Sequence, residues 1–260
     1  MNVILCLAAI VIKELYRRKD FYVLFVITAV ITLMMGSVSF FHEANIVRYV
    51  KDICLLLIWI SSLVIAIVTT ARQIPAERES RTIFPLLAKP VTRGQVVVGK
   101  FAGCWLACGL ALVVFYLFFG LVSAAKEGHL PLGQYLQAFW LHWATLAVVI
   151  SMALLGSLVF SAPSANATIC FTAVVAIFIL GGYLHKLAAL QPPLIALLLL
   201  LLYFLIPHLE WFYTLRERLV FDHSLIGWDD CLLATAYLAA YAAAFLFAAW
   251  LVFRRKTLTT

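Results

Sequence analysis

Long, uninterrupted apolar segments constrain the fold of this chain more than any other feature. Most are about twenty residues long, the length at which an α-helix crosses the hydrocarbon core of a bilayer. Lipid offers no partners to backbone N–H and C=O groups, so spanning segments must be helices or strands of a closed barrel. The apolar residues run continuously, without the alternation typical of barrel strands. The sequence therefore predicts an all-α polytopic membrane protein.

The composition excludes a soluble globular fold. Of the 260 residues, 65% are hydrophobic and 12% are charged, whereas a soluble domain carries about 25% charged residues. The net charge of +7 could indicate nucleic-acid binding, but 13 of the 19 Lys and Arg residues lie in 13–19, 72–100 and 254–256. These ranges flank apolar segments, a distribution that fixes orientation in a membrane and leaves no soluble basic surface for nucleic acid.

Six spans and one shorter helix are predicted within a single transmembrane domain, 1–260. Residues 3–19 hold only about ten continuous apolar residues and end in a basic cluster, so we expect a helix in the membrane interface. The predicted spans are about 21–41, 53–71, 97–124, 137–160, 166–184 and 231–253.

The stretch 186–230 is predicted to be a re-entrant and interfacial segment on the outer side. Its apolar part, 193–206, is bracketed by prolines, and as a helix it would measure about 21 Å against a core of about 30 Å. If it crossed the membrane instead, the basic C-terminal end would face outside, against the positive-inside rule. With the stretch outside, the inner segments hold 13 basic residues and four acidic ones. Both termini are then expected in the cytoplasm.

The predicted spans carry no Asp, Glu, Lys or Arg in their central parts, which argues against a proton- or ion-driven pump. His142 comes nearest to a span interior. Its neighbours Trp140 and Trp143 are residues typical of the membrane interface, so we expect this histidine at the level of the lipid headgroups. The six cysteines show neither zinc spacing nor a disulfide pattern. We therefore predict no catalytic residue and no metal site.

One stretch imitates a nucleotide site. Residues 94–100 match the phosphate-loop spacing of two glycines and a lysine, but Phe101 replaces the Ser or Thr that would hold Mg²⁺, and no strand precedes the stretch. We expect no cofactor in this chain. Gly99 and Gly103 are instead predicted to form a small-residue face for helix packing, and Lys100 is expected to anchor the chain at the inner interface.

The segment 72–95 is the largest polar stretch between spans on the predicted inner side. The charged residues near its start favour a solvated helical extension of the second span; they are Glu77, Arg78, Glu79 and Arg81. Thr82 can cap a new short helix that tolerates Pro85 in its first turn and ends at Pro90. That helix would present an apolar surface of Ile83, Phe84, Leu86 and Leu87. The residues alone leave two alternatives open, docking on another protein or folding back onto the bilayer.

This segment resembles the cytoplasmic loop of ABC-2 type permeases, the membrane subunits of ABC exporters. The shared pattern, at 77–100, is E-x-x-x-R-T-I-x-x-L-L-x-K-P-V-x-R-x-x-x-x-x-G-K, with Arg81 where glycine is usual. Similar features are K-E-L followed by basic residues at 13–19, a short serine-proline connection at 161–164, and F-R-R-K near the end. The run I-P-H-L-E-W-F at 206–212 resembles the nitrous-oxide-reductase maturation permeases within that family.

The resemblance implies a coupling helix, about 83–89, that docks in a groove of a separate nucleotide-binding subunit, which would hold the ATP and Mg²⁺. It further implies an exporter in the bacterial inner membrane, paired with a second permease copy as a homodimer or heterodimer. The outer stretch is a candidate contact surface for a periplasmic protein. The residues assigned to coupling are Glu77, Glu79, Arg81, Thr82, Ile83, Phe84, Leu86, Leu87, Lys89, Pro90 and Arg93.

A second interpretation is a membrane scaffold or enzyme that acts through the stretch 186–230. In and beside this stretch lie enough metal-ligating side chains to form a site, although their spacings match no known signature. They are His185, His208, Glu210, Asp222, His223, Asp229 and Asp230. The substrate of a permease stays unknown; a charge-free interior containing serines, threonines and aromatic residues suits an apolar or amphiphilic cargo.

Overall fold

The computed structural model describes residues 3–17, 19–37, 43–79, 92–128, 131–221 and 225–255. Within these ranges the chain forms helices and no strand. In chain order the helices are α1 (Val3–Arg17), α2 (Lys19–Ser37), α3 (Glu43–Ala71), α4 (Gln73–Glu79), α5 (Arg93–Glu127), α6 (Leu132–Val159), α7 (Pro163–Ala188), α8 (Pro193–Leu205), α9 (Leu209–Phe221) and α10 (Trp228–Arg255). The predicted all-α class is confirmed.

Within the described ranges, five helical stretches are long and apolar enough to cross a membrane. They lie in α3 continued by α4, and in α5, α6, α7 and α10, and they are Arg48–Glu79, Arg93–Ala125, Leu132–Val159, Pro163–Gly181 and Trp228–Arg255. The apolar parts of α2 and α8, Tyr22–Met34 and Pro193–Tyr203, are shorter. A polytopic membrane protein is therefore confirmed, and the number of six spans stays a prediction.

Helix α6 lies at the centre of the bundle. Its sequence contains no charged residue, and a helix that is apolar on every side is one that becomes buried. It packs against α3, α5, α7, α9 and α10. Leu141, Ile150 and Leu154 are completely or almost completely buried in these contacts.

Helix α1 lies along the first half of α5. Leu7, Ala8 and Val11 are buried, and the two helices approach closely at Gly103. A Cβ added to Gly103 would lie 2.8 Å from Cβ of Val11 and 2.9 Å from Cα of Ala8. Such spacing requires a residue without a side chain. Gly99, one turn earlier on α5, is also buried.

Several helices extend beyond the predicted limits for identifiable reasons. Helix α3 begins at Glu43 instead of about residue 53, because neither proline nor glycine interrupts residues 43–71. Helix α5 begins at Arg93 instead of about residue 97, where Thr92 and Gln95 form a capping box. It ends before Gly128, whose φ of 72° gives the left-handed conformation that closes many helices.

The stretch between α7 and α10 forms two short helices. Helix α8 spans 13 residues from Pro193 to Leu205, a length of about 20 Å. Pro207 follows, and α9 then packs against α6 and α7. Helix α10 begins with Asp229 and Asp230 in its first turn and ends with Arg254 and Arg255 in its last, and both charge signs match the helix dipole.

Candidate functional site

A cluster of polar side chains joins α1, α4 and α5 at the end of the bundle where the basic residues collect. We call it the basic-end cluster, and its members are Glu14, Gln73, Glu77 and Lys100. The Nζ atom of Lys100 donates a hydrogen bond to Oε1 of Gln73 at 3.1 Å and lies 2.5 Å from Oε1 of Glu77. Nε2 of Gln73 donates to Oε2 of Glu14 at 3.4 Å and to the Thr69 carbonyl at 3.4 Å.

The position of Lys100 corrects the expectation from sequence. This lysine does not extend to the lipid interface; only 3% of it is exposed, and its ammonium group points into the bundle. An ammonium group taken out of water needs an acidic partner nearby, and Glu77 on α4 supplies it. The lysine thus fixes the first turns of α5 to α4.

Arg93 makes a second connection at the same end of the bundle. Its Nη1 atom donates to the carbonyl of Phe253 at 2.5 Å and to the carbonyl of Arg254 at 3.0 Å. The guanidinium also lies 5.4 Å from the centre of the Phe253 ring. The last carbonyls of a helix have no partner within the helix, so Arg93 joins the start of α5 to the end of α10.

The structure places three of the predicted coupling residues. Glu77 and the exposed Glu79 lie on α4, and Arg93 is the first residue of α5. Eight others lie outside the described residues: Arg81, Thr82, Ile83, Phe84, Leu86, Leu87, Lys89 and Pro90. The two helices that flank 80–91 are nevertheless attached to each other through Glu77 and Lys100. A force applied to the intervening segment would therefore reach α3, α4 and α5 together.

The apparent phosphate loop is part of a helix. Residues 94–100 lie within the first two turns of α5, where the backbone N–H groups after the first turn are bonded within the helix. They are therefore not arranged to surround a phosphate. Gly94 instead lies beside Trp250 of α10, with 3.4 Å between an added Cβ and Cδ1 of the indole.

A second polar cluster lies inside the bundle, around His142, and corrects another expectation. His142 does not project towards lipid headgroups but is enclosed by neighbouring helices, and only 4% of it is exposed. Its Nε2 lies 2.9 Å from Oγ of Ser62 on α3, and its Nδ1 lies 3.3 Å from the hydroxyl of Tyr116 on α5. Ser62 donates its own proton to the Trp59 carbonyl at 2.8 Å, so Nε2 of the imidazole is the donor to Ser62 and Nδ1 accepts from Tyr116.

We expect His142→Leu to lower the free energy of unfolding by about 1–2 kcal/mol, because two buried hydrogen bonds are lost while both partners keep another acceptor. Chemical unfolding in detergent micelles measures the effect. The double variant with Ser62→Ala should lose less than the sum of the two single losses, since the residues share one bond. Additive losses would contradict the pairing of His142 with Ser62.

Two tryptophans connect α5 to α6 beside this cluster. Nε1 of Trp105 donates to the Trp143 carbonyl at 3.0 Å, and Nε1 of Trp143 donates to the Trp105 carbonyl at 2.9 Å. Their rings stack with centres 4.2 Å apart and planes inclined by 13°. Because both indole N–H groups are satisfied, the pair can lie inside an apolar bundle without an unpaired donor.

Two apolar grooves run along the bundle. One, of about 280 Å³, lies between α5 and α6, with Tyr116 in its lining. The other, of about 240 Å³, lies between α5, α6 and α10, where Trp105 and Trp143 face the alanines of α10. Neither contains a charged side chain in its lining.

Arg216 is a buried residue that the sequence reasoning assigned to an outer loop. It lies on α9, and only 2% of it is exposed. Its guanidinium lies over the ring of Tyr213, 4.6 Å from the ring centre. A signal for burial was present in the sequence. Leu209, Arg216 and Val220 recur at helical spacing on one face of an amphipathic segment, and the two apolar members of that set are buried as well.

The outer stretch does not support the metal-site interpretation where it is described. Among the described residues, no three His, Cys, Asp or Glu side chains come together as metal ligands. His208 stacks on Tyr203 with ring centres 4.0 Å apart, and its backbone N–H donates to the Tyr237 hydroxyl at 3.1 Å. Asp222 and His223 lie outside the described residues.

Comparison with known proteins agrees with the layout of the helices. A family model described as ABC-2 family transporter protein matches residues 7–258. The match extends from within α1 to beyond the end of α10, so it covers both polar clusters and the segment between α4 and α5. A search of curated proteins finds no match to the chain.

Proposed function

The chain belongs to the ABC-2 transporter family, whose permeases generally work with an ATP-binding subunit, and from this premise we propose that segment 72–95 couples ATP hydrolysis in a separate subunit to substrate export. This chain is then the membrane subunit, and the partner binds ATP and Mg²⁺. The active assembly contains two permease copies and two ATPase subunits. The apolar grooves suit an apolar or amphiphilic cargo.

The ion pair between Lys100 and Glu77 is the observation that best supports this proposal. It fixes α4 to α5, the two helices that precede and follow the proposed coupling helix in the sequence, so that closure of the ATPase subunits would move the second and third predicted spans as a unit. Packed helices change between discrete arrangements and do not deform continuously. A short helix held between two attached helices is therefore an effective transmitter of motion.

The charge distribution supports a cytoplasmic position for this end of the bundle. Arg17, Arg72, Arg93 and Arg254 collect there, and positively charged residues accumulate on the cytoplasmic side of membrane proteins. The opposite end holds the acidic first turn of α10. We therefore propose both termini in the cytoplasm and residence in the bacterial inner membrane. The finer resemblance to nitrous-oxide-reductase maturation permeases stays a prediction.

Copurification tests the proposal most directly. A tagged chain purified from its native membrane should retain an ATPase subunit and show Mg²⁺-dependent ATP hydrolysis. A glutamine variant of the exposed Arg218 on α9 is the matched control, since it changes a charge far from segment 72–95 and should behave as the wild type. Purified chain that carries no ATPase under conditions that preserve its fold would contradict the proposal.

Cysteine labelling tests independently on which side of the membrane segment 72–95 lies. Glu79→Cys and Arg93→Cys would be made in a background in which the exposed Cys6 is alanine, the other described cysteines being buried. An impermeant maleimide should modify both positions in inverted vesicles and neither in right-side-out cells. Modification from the periplasmic side would overturn the coupling assignment, because the ATPase would have nothing to contact.

A further inference from the structure

The guanidinium of Arg216 is buried without a hydrogen-bonding partner among the described residues. Its Nε, Nη1 and Nη2 atoms are all inaccessible to solvent, and none of them makes a hydrogen bond there. The Tyr213 ring covers one face of the guanidinium plane at 4.6 Å. Contact with a ring face leaves the N–H groups unsatisfied, because these project from the edge of the plane.

Among the described residues, the surroundings of Arg216 are polar but contain no carboxylate that hydrogen-bonds to it. The Tyr116 hydroxyl lies close enough to the guanidinium to act as a weak hydrogen-bond acceptor, although no contact between them reaches full hydrogen-bond geometry. The His142 imidazole, which is bonded to Tyr116, lies within electrostatic reach. Tyr116 is a neutral group, so the charge of Arg216 is not compensated by this contact. Glu217 and Asp52 act electrostatically on the neighbouring Tyr213, but neither forms a hydrogen bond with the Arg216 guanidinium. The edge of the guanidinium therefore faces a region that already contains hydroxyl and imidazole groups.

An unpaired buried charge is strongly unfavourable, and proteins normally satisfy it with a counter-charge or a ligand. Arginine always carries its charge, so Arg216 cannot relieve the strain by losing a proton. Its planar fork of N–H donors matches two oxygens of a phosphate or carboxylate group. Such an oxyanion would neutralise the charge and satisfy several donors at once.

We propose that Arg216 binds a phosphate group in this protein, next to the cluster of Tyr116 and His142. The phosphate belongs either to the headgroup of an anionic lipid or to a free solute. Both sources present the same oxygens to the guanidinium. The inference concerns binding alone and does not depend on coupling to an ATPase.

Thermal unfolding of the purified full chain in uncharged detergent tests this proposal. The chain is titrated with inorganic phosphate against potassium chloride of equal ionic strength, and with phosphatidylglycerol against diacylglycerol, which lacks the phosphate. The variants are Arg216→Gln, Arg216→Lys and, as the matched control two residues along α9, the exposed Arg218→Gln.

For the wild type and Arg218→Gln we expect the unfolding temperature to rise by about 5 °C at a saturating concentration of one phosphate source. Arg216→Gln should show no rise, and Arg216→Lys, which keeps the charge without the fork, should need at least about tenfold more ligand. A rise with phosphatidylglycerol alone identifies a lipid; a rise with inorganic phosphate identifies a solute.

Two results would overturn the proposal. One is a wild type that responds to neither source more than to its control. The other is an Arg216→Gln variant that responds as strongly as the wild type. If Arg216→Gln does not fold, equal titration midpoints for the wild type and Arg216→Lys would overturn it in the same way.

Discussion

Phe84→Asp is expected to abolish ATP hydrolysis by the assembled transporter while the permease remains folded. On the proposed coupling helix, Phe84 is the largest apolar side chain offered to the ATPase subunit. Loss of an aromatic anchor weakens an interface by about 2 kcal/mol or more, and an ionised carboxylate buried without a partner adds a penalty of comparable size. A total of about 4 kcal/mol corresponds to roughly a thousandfold weaker association.

Two measurements separate loss of coupling from loss of folding. ATPase activity and retention of the ATPase subunit are compared with the unfolding temperature of the permease alone. That temperature should stay within about 1 °C of the wild type, because the proposal assigns Phe84 to the interface with the ATPase subunit and not to the core of the permease. Phe84→Leu is the matched control, since it keeps an apolar side chain in the groove and should retain most of the association. A Phe84→Asp variant that remains assembled and hydrolyses ATP at the wild-type rate would show that this segment does not couple the subunits.

The overall fold could be predicted because apolar length is a strong signal in a membrane protein. The charge-free sequence of α6 indicates a helix that is buried on every side, and it is the central helix of the bundle. The prolines around 193–206 indicate the short α8 and the break before α9. The beginnings of helices were harder to predict: polar residues such as Arg48 were read as loop, yet they lie on α3, because no helix breaker separates them from the apolar part.

The polar clusters could be predicted only in part, because their partners are distant in sequence. Ser62 and His142 are 80 positions apart in the sequence, and Lys100 and Gln73 are 27 positions apart. A single sequence contains no direct information about such pairs. Tryptophans such as those beside His142 are common at membrane interfaces, which led to the prediction of a surface position. Inside the bundle, however, the indole N–H groups of Trp105 and Trp143 each donate to the backbone carbonyl of the other residue, so both donors are satisfied there as well.

The positions of basic residues close to apolar segments were the hardest to predict. Lys100 was expected at the inner interface and Arg216 in the outer stretch 186–230, because basic residues normally lie at or beyond the ends of the spans. In the structure both are buried, but in different ways. Lys100 has Glu77 and Gln73 as partners, whereas the guanidinium of Arg216 has no hydrogen-bonding partner among the described residues. The first arrangement pairs a buried charge within the chain, and the second is the basis of the proposed phosphate site.

Lys100→Met is expected to lower the free energy of unfolding by about 3 kcal/mol, because it leaves the carboxylate of Glu77 in a largely buried position without its counter-charge. The side chain of Glu77 is 20% exposed, and this proximity to solvent places the loss at the lower end of the range for broken buried pairs. In a chain of this size the unfolding temperature should fall by about 10 °C. Arg255→Met, at the exposed end of α10, removes one positive charge from the same end of the bundle and should have little effect.

The double variant Lys100→Met with Glu77→Gln identifies the cause of the stability loss expected for Lys100→Met. If the loss in Lys100→Met comes from an unpaired carboxylate, neutralising Glu77 should restore most of the stability, and the two substitutions should be far from additive. Additive losses would mean that Lys100 acts through its packing and not through the ion pair. In that case α4 and α5 would not be attached electrostatically, and motion of the segment between them would not have to reach both helices together.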